Sequence, residues 1–309
     1  MIEKIKRLVW RLSLREKIYS YGEDNPDMTY YVIRVDYKMA GMLAIVKSIL
    51  SHIVYAYDNN YIPVVDLLNC KCQYINPQNP ENIWNWFYLQ PEGIDLCDII
   101  HSKKVIISKN IDVPSKKYLI RVDSLYNNKG LLNSYKEAYN KYIHFNKKTE
   151  QYVEDKYHKI IGYKKGILGV LARGTDYLDN KPKYHPVQPA PQDIIEKAKE
   201  VMEKYGYEYL FLATEDQRIY DLFKIHFGEK LLFNDQKLLD STHGVNYISE
   251  LDSKKGLSGK QDVLNYLTTL FILSKCSSFI GGCTSGTLGA YMMSEHFEYE
   301  YFWNLGLYK

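Results

Sequence analysis

The sequence predicts an α/β protein made of two Rossmann-like, doubly wound domains facing a cleft, residues 1–160 forming the first and 161–309 the second. Three observations predict it. Short apolar runs alternate with stretches of helical period in both halves. Polar loops follow several of those runs directly, where a parallel strand would end. The chain, at 309 residues, is long enough to bury two cores of ordinary size. A hydrophobic share of 46% beside 25% charged residues excludes wholesale disorder and points to a folded, soluble chain.

The chain begins with a basic arm, residues 1–20. Within its first 17 residues Lys4, Lys6, Arg7, Arg11, Arg15 and Lys17 face only Glu3 and Glu16, and Ile2, Ile5, Val9 and Leu12 recur at helical spacing with Leu8 beside them. A helix of this kind can lie on an anionic membrane surface or pack on the body of the protein. With no cleavable signal and no long apolar run, the expected location is the cytoplasm, peripheral to the inner face of the membrane. Five cysteines, Cys70, Cys72, Cys97, Cys276 and Cys283, are odd in number and lack paired metal-ligand spacing, so they read as reduced thiols and no metal site is expected. The net charge of +3 is modest and concentrated in the arm, which argues against a nucleic-acid partner.

After the arm, residues 30–35 read as a strand and 36–41 as a loop carrying Asp36 and Gly41. A helix follows from Met42 to about Tyr57, with Leu43, Val46, Ile49, Leu50, Ile53 and Val54 on its apolar face, and Asp58-Asn59-Asn60 ends it. Residues 62–66 supply a second strand, which makes a βαβ unit with a right-handed crossover. The aromatic group Trp84, Trp86, Phe87 and Tyr88 reads as a core plug under a long loop, the alternative being a stacking wall for a sugar. Further strands are expected at 104–108 and 118–122, and residues 131–159 are largely helical in pattern.

The alternation is cleaner in the second half: strand 167–172, helix 192–205, strand 209–213, helix 216–226, strand 230–234, helix 261–274, strand 278–281 and helix 285–293. Three strand ends carry polar loops, namely Arg173-Gly174-Thr175-Asp176, Thr214-Glu215-Asp216, and Gly282-Cys283-Thr284-Ser285-Gly286-Thr287. In a parallel sheet all three share one edge. Arg173 offers a fork of donors, and the last loop opens a helix whose free amides and dipole suit a phosphate or carboxylate. Thr284 or Ser285 reads equally as an ordinary helix cap. Glu215 and Asp216 can accept from ribose hydroxyls or guanine N–H groups, and Asp216 can instead be the N-cap of the next helix. The segment Gly256-Leu257-Ser258-Gly259-Lys260 lacks P-loop spacing. No Gly-x-Gly-x-x-Gly and no Asp-x-Asp occurs, which argues against a nicotinamide cofactor and against a metal-clamped sugar nucleotide, leaving Arg and helix amides to neutralise a pyrophosphate.

Residues 171–177, Leu-Ala-Arg-Gly-Thr-Asp-Tyr, resemble the His-x-Arg-x-x-Asp motif of the superfamily of α1,2-, α1,6- and protein O-fucosyltransferases. Tyr184-His185-Pro186 follows at the offset of the α1,6 enzymes, residues 212–216 are similar to their Ala-Thr-Asp-Asp segment, and 271–293 resemble their last donor-binding motif. The resemblance implies a GT-B fold, GDP-fucose as donor substrate, inversion at the anomeric carbon, and neither metal nor cofactor. It implies that Arg173 holds the β-phosphate, that Glu215 or Asp216 contacts guanosine, and that Thr284 and Ser285 meet the pyrophosphate. The donor-binding set is then Arg173, Gly174, Thr175, His185, Thr214, Glu215, Asp216, Thr284, Ser285, Gly286 and Thr287. The sequence departs from the pattern at Leu171 in place of His, at Gly174 in place of a second Arg, and at Lys181, where the catalytic carboxylate falls by ungapped counting. Asp179, then Asp176 and Asp36, are the substitute candidates for the base. The expected activity is transfer of fucose to a glycan acceptor, a surface polysaccharide or its lipid-linked precursor. The alternatives are use of another GDP- or UDP-sugar, or sugar-nucleotide binding without turnover.

Overall fold

Two runs of buried apolar residues, Tyr30–Ile33 and Ile167–Leu171, each lie in the interior of a separate sheet. The computed structural model describes residues 17–37, 40–75, 78, 80–108, 113–242, 244 and 258–309. Residues 1–16 of the basic arm and the segment 245–257, with the first two residues of the Gly256–Lys260 loop, lie outside the described residues. The chain divides into two compact units. One runs to Ile120 and includes Lys141–Asn146, while the other comprises Arg121–Asn140 and Lys147–Lys309. Among the described residues no helix is long and apolar enough to cross a membrane.

The first unit holds strands β1 (Ile18–Tyr19), β2 (Tyr30–Ile33), β3 (Ile62–Val65) and β4 (Val105–Ile107), with helix α1 (Met42–Asp58) between β2 and β3. The order is β1-β4-β2-β3, with β2 parallel to both neighbours and β1 antiparallel at the edge. The expected βαβ unit is therefore present. Its helix buries Leu43, Val46, Ile49, Leu50 and Ile53, the apolar positions of its sequence period, and each such side chain contributes about 1.5–3 kcal/mol relative to exposure. The strand expected at 118–122 is corrected: Lys116–Tyr118 forms one 3₁₀ turn, and β1 pairs with the outer side of β4 instead. Tyr118 is held by its hydroxyl, which donates to Asp58 Oδ2 at 2.8 Å. Trp84, Phe87 and Tyr88 are buried, with Trp84 stacked on Tyr88 at 4.5 Å and Tyr88 on Phe145 at 5.4 Å, which is the plug arrangement.

The long helical stretch is two helices, α2 (Lys129–Tyr142) and α3 (Lys147–Ile161). The residues between them leave the helix to pair with the aromatic segment: Leu89 N–H donates to the His144 carbonyl and Asn146 N–H to that of Phe87, each at 2.9 Å. The sequence pattern puts α3 with the first half. It groups instead with the second unit, because the Tyr152 hydroxyl donates to Asn265 at 3.0 Å and Tyr157 packs edge-on against Phe271.

The second unit then alternates β5 (Ile167–Leu171), α4 (Pro191–Tyr205), β6 (Tyr209–Ala213), α5 (Gln217–Phe227), β7 (Leu231–Phe233), α6 (Ser258–Ser274), β8 (Ser278–Gly282), α7 (Ser285–Met293) and β9 (Tyr299–Trp303). All five strands are parallel, in the order β7-β6-β5-β8-β9. Leu168, Val170, Leu210, Leu212 and Ile280 form its core with Ile194, Val201 and Phe223. The sequence does not predict β9, because Glu300 interrupts its apolar run and, as an edge strand, it is only partly buried. From β5 the chain winds to β6 and β7 on one side and then returns to β8 on the other. The topological switch point therefore lies between β5 and β8.

Candidate functional site

Because β6, β5 and β8 are adjacent and parallel, residues 173–176, 214–216 and 283–287 emerge on one edge of the sheet, at its switch point. The first two loops are bound together by carboxylates. Glu215 Oε1 accepts from the Gly174 amide and the Thr175 hydroxyl, both at 3.0 Å, and its Oε2 lies 3.1 Å from Arg173 Nη1. Asp216 has no exposed surface. Its Oδ2 accepts from the Thr175 amide at 2.7 Å and Arg218 Nη2 at 2.6 Å, and its Oδ1 from the Arg218 amide at 2.9 Å and Nε at 3.0 Å. Those four bonds saturate the carboxylate. Asp216 is thus the N-cap of α5 and the anchor of the 174–175 turn, which leaves it no free lone pair for guanosine.

Arg173 is aimed by two acids. Nη2 meets Asp176 Oδ1 at 2.7 Å while Nη1 meets Glu215, and the guanidinium lies over the Tyr177 ring at 5.1 Å. Tyr177 in turn packs edge-to-face with His185 at 5.8 Å, which connects that residue to the cluster. Nη2 donates a hydrogen bond to Asp176 and Nη1 faces Glu215 as an ion pair, and the guanidinium makes no other hydrogen bond among the described residues, so donors remain for a ligand. Burial opposes the Arg173 charge, but Glu215 and Asp176 more than offset it and raise its pKa. Burial pushes the Glu215 carboxyl up, with Arg173 pulling the other way. Burial also opposes the Asp216 charge, yet the bonds from Arg218 and Thr175 hold its carboxyl below the usual range.

The backbone of this loop is strained. Thr175, β-branched and fully buried, has φ of 35°, and Lys181 and Tyr184 also sit at positive φ, 47° and 64°. Each such residue costs on the order of 1–3 kcal/mol, and the Glu215 and Asp216 bonds to Thr175 hold it there. Gly174 is obligatory for a different reason: a Cβ there would collide with the Asp216 carboxylate. The second Arg of the fucosyltransferase pattern therefore has no room at this position.

On the third loop, the Thr284 hydroxyl caps α7 by accepting from the Thr287 amide at 3.1 Å, and the Thr287 hydroxyl donates to the Gly282 carbonyl. Thr214 is likewise engaged, accepting from the Asp216 amide at 3.2 Å. That leaves the start of α7, namely the partly exposed Ser285, whose side chain makes no bond among the described residues, and Gly286 after it. Of the base candidates, Asp176 is buried against Arg173, and Asp179 is shared with Arg218 Nη2 at 3.0 Å. Asp36 belongs to the first unit, just beyond β2, and accepts from the Lys71 amide at 2.7 Å.

Sequence reasoning missed four supporting residues. Tyr266 on α6 places its hydroxyl where a Cβ on Gly286 would stand, and burial pushes its phenol up to about 12, with the Arg173 charge opposing. Gln236 donates to the Thr214 carbonyl at 2.7 Å and accepts from Thr269 at 2.9 Å, tying the β6 loop to α6. Gln188 spans the Pro186 and Cys283 carbonyls, at 3.0 and 3.3 Å. Arg218 holds two carboxylates. Gly286 is a signal for Tyr266 and Gly282 for Gln188, since each glycine marks a close approach to that side chain; Gln236 and Arg218 carry none. Among the described residues no group of three or more His, Cys, Asp or Glu is arranged to hold a metal ion.

No protein-family model and no curated protein sequence matches the chain. Solved structures do. The NodZ α1,6-fucosyltransferase co-crystallised with GDP aligns at TM-score 0.53 and 12% identity, over 86% of this chain and 93% of that one. The fucosyltransferase NodZ from Bradyrhizobium aligns at TM-score 0.54 and 13% identity, over 86% and 94%. POFUT1 in complex with GDP aligns at TM-score 0.54 and 10% identity, over 90% of this chain and 99% of that one. The fold is that of these GT-B fucosyltransferases.

Proposed function

We propose that the chain is a glycosyltransferase that moves fucose from GDP-fucose to a glycan acceptor with inversion and without a metal ion. The observation that carries this reading is Arg173, held by Asp176 and Glu215 at the switch point of the second sheet with donors unused among the described residues, in a fold shared with two fucosyltransferases solved with GDP. As the bond from the anomeric carbon to the β-phosphate oxygen breaks, its electron pair and negative charge pass to the diphosphate. A fixed guanidinium and the α7 amides stabilise that charge more in the transition state than in the bound donor. On the opposite face the acceptor hydroxyl forms the new bond and gives its proton to a carboxylate, for which Asp179 is the first candidate because its side chain is 36% exposed whereas that of Asp176 is buried against Arg173. Glu215 and Asp216 take positioning roles. The acceptor is a surface polysaccharide or its lipid-linked precursor, met at the cytoplasmic face of the membrane with the basic arm on anionic lipid.

Thermal unfolding with GDP, GDP-fucose, GDP-mannose and UDP, each with and without Mg²⁺, tests the reading. A ligand at 100 times its Kd stabilises by about 2.7 kcal/mol, a readable change in midpoint. A shift with guanosine nucleotides only, independent of Mg²⁺, is the expected result, whereas no shift with any of them overturns it. UDP is in the panel because Asp216 is saturated, which favours a changed base contact as the second reading.

A further inference from the structure

The first sheet has a switch point of its own. From β2 the chain passes through α1 to β3 on one side, while β4 pairs on the other side of β2, so ligands are expected beyond the carboxyl ends of β2 and β4. The residue that stands there is Arg34. Its backbone is clamped by Ser108, whose hydroxyl accepts from the Arg34 amide at 2.8 Å and donates to the Arg34 carbonyl at 2.9 Å. Its guanidinium is fixed at one corner, Nε donating to Asp66 Oδ2 at 2.6 Å. Asp66 is fully buried and is itself immobilised by the Leu68 and Asn69 amides at 3.1 and 2.9 Å and by the Asn69 side chain.

This arrangement uses Nε and leaves the Nη1/Nη2 edge without a partner among the described residues, on a side chain that is 33% exposed. An arginine oriented by a buried acid and open at its two-nitrogen edge matches a planar carboxylate or a phosphate in bidentate fashion. Its surroundings fit. The 17-residue helix α1 begins at the same edge with Gly41 as an N-cap, and among the described residues no side chain caps it and nothing lies within 4 Å of where a Cβ on Gly41 would stand. The nearby Cys70 thiol is pushed up to about 12, chiefly by burial, and carries no charge. The one negative group left on the loop is Asp36, held by the Lys71 amide.

We infer that Arg34 is an anion seat in the first unit, and that it anchors an acidic acceptor through a carboxylate or phosphate group on the glycan. The acceptor half of this inference rests on the function proposed above, while the seat itself does not.

The test uses the full chain and ligand-observed NMR titrations of three probes: methyl β-glucuronide for the carboxylate, glucose 1-phosphate for the phosphate, and methyl β-glucoside as the neutral control. At least one acidic probe is expected to bind about ten- to a hundredfold more tightly than the glucoside, the range of a charge-assisted pair, and to be unaffected by Arg173→Gln. Arg34→Gln should abolish that preference. Arg34→Lys, which keeps the charge beside Asp66 but not the fork, should weaken binding severalfold and covers the case in which the glutamine variant does not fold. Equal binding of acidic and neutral probes, or an acidic preference that survives Arg34→Lys unchanged, overturns the inference. The GDP midpoint shift is read on the same samples. A seat without a GDP shift leaves the anion site standing and removes the transferase, and the reverse result does the opposite.

Discussion

Each unit places an arginine just beyond an interior strand of its sheet and orients it with buried acid, but the two arginines are held differently. In the second unit Arg173 gives one Nη to Asp176 and the other to Glu215, and Arg218 with Asp179 and Asp216 stands behind it, so four carboxylates surround two guanidiniums. In the first unit the Arg34 guanidinium meets, among the described residues, only Asp66, through Nε. An arginine caged on both nitrogens is fixed in position but sits in an electronegative setting, and a diphosphate reaches it only by competing with carboxylates. An arginine tethered at one corner is free to take an anion directly. The difference teaches that orientation and charge are separate devices: under the proposed function Arg173 suits a defined geometry at a reacting phosphate, and under the inference above Arg34 suits affinity.

The strongest break in this comparison comes at the acids that hold the loops. Asp216→Ala removes the acceptor of four hydrogen bonds, the one to the Thr175 amide buried, and the N-cap of α5, so a loss of about 2–4 kcal/mol is expected in denaturant unfolding. Because the Asp216 pKa is depressed in the folded protein, its stabilisation is present above the unfolded value and is lost as pH falls through the folded one. The variant should therefore show a flatter loss of stability below about pH 4. Gly174→Ala attacks the same junction from the other side, and unfolding should report about 1–3 kcal/mol for forcing a methyl group against the carboxylate.

Next comes Arg173 itself. Arg173→Ala leaves Asp176 and Glu215 without their counter-charge, so some loss of stability is expected, and it should remove the GDP midpoint shift, with kcat for sugar transfer falling about 10²–10³-fold, the usual cost of one donor to a developing oxyanion. Arg173→Lys should recover little, because a single ammonium cannot meet Asp176, Glu215 and a phosphate together. If the lysine variant binds GDP as tightly as the wild type, the caged geometry has no function. Asp179→Asn sharpens the base assignment: a drop in kcat with the GDP shift preserved supports it, and unchanged kcat moves the role to Asp36.

Much of the fold and part of the site are legible in the sequence. The runs at 167–171 and 209–213 are apolar throughout because they are buried on both faces of a parallel sheet, and the polar residues that break them mark the functional edge. The Asp216 N-cap and the Thr284 N-cap are readable from residue type and position. What the sequence leaves open depends on contacts distant along the chain. Nothing around Gln236 signals that it ties Thr214 to Thr269, and nothing in residues 143–146 signals that they leave a helix to pair with residues 87–89. The acidic pair 215–216 is visible, but whether it faces a ligand or the protein's own arginines depends on where β5 and β6 lie in the sheet.

The smallest expected effect isolates the charge half of the comparison. Glu215 is raised above the ordinary glutamate range by burial, with Arg173 opposing and Asp176 adding to the rise. Its protonated fraction therefore grows as pH falls, and each proton taken up removes one negative charge from beside the incoming diphosphate, while Arg173 stays charged. GDP should accordingly bind more tightly as pH falls toward the raised Glu215 range, by less than about tenfold, which corresponds to about 1.4 kcal/mol. The terminal phosphate of GDP also takes up a proton as pH falls, with a second pKa near 6, so the comparison must be made against Glu215→Gln, in which that contribution persists and the carboxyl is gone. Calorimetry in buffers of different ionisation enthalpy should show proton uptake on GDP binding to the wild type in excess of the variant. If the two proteins take up protons equally, Glu215 stays ionised with ligand bound, and the acids around Arg173 set its position without tuning its affinity.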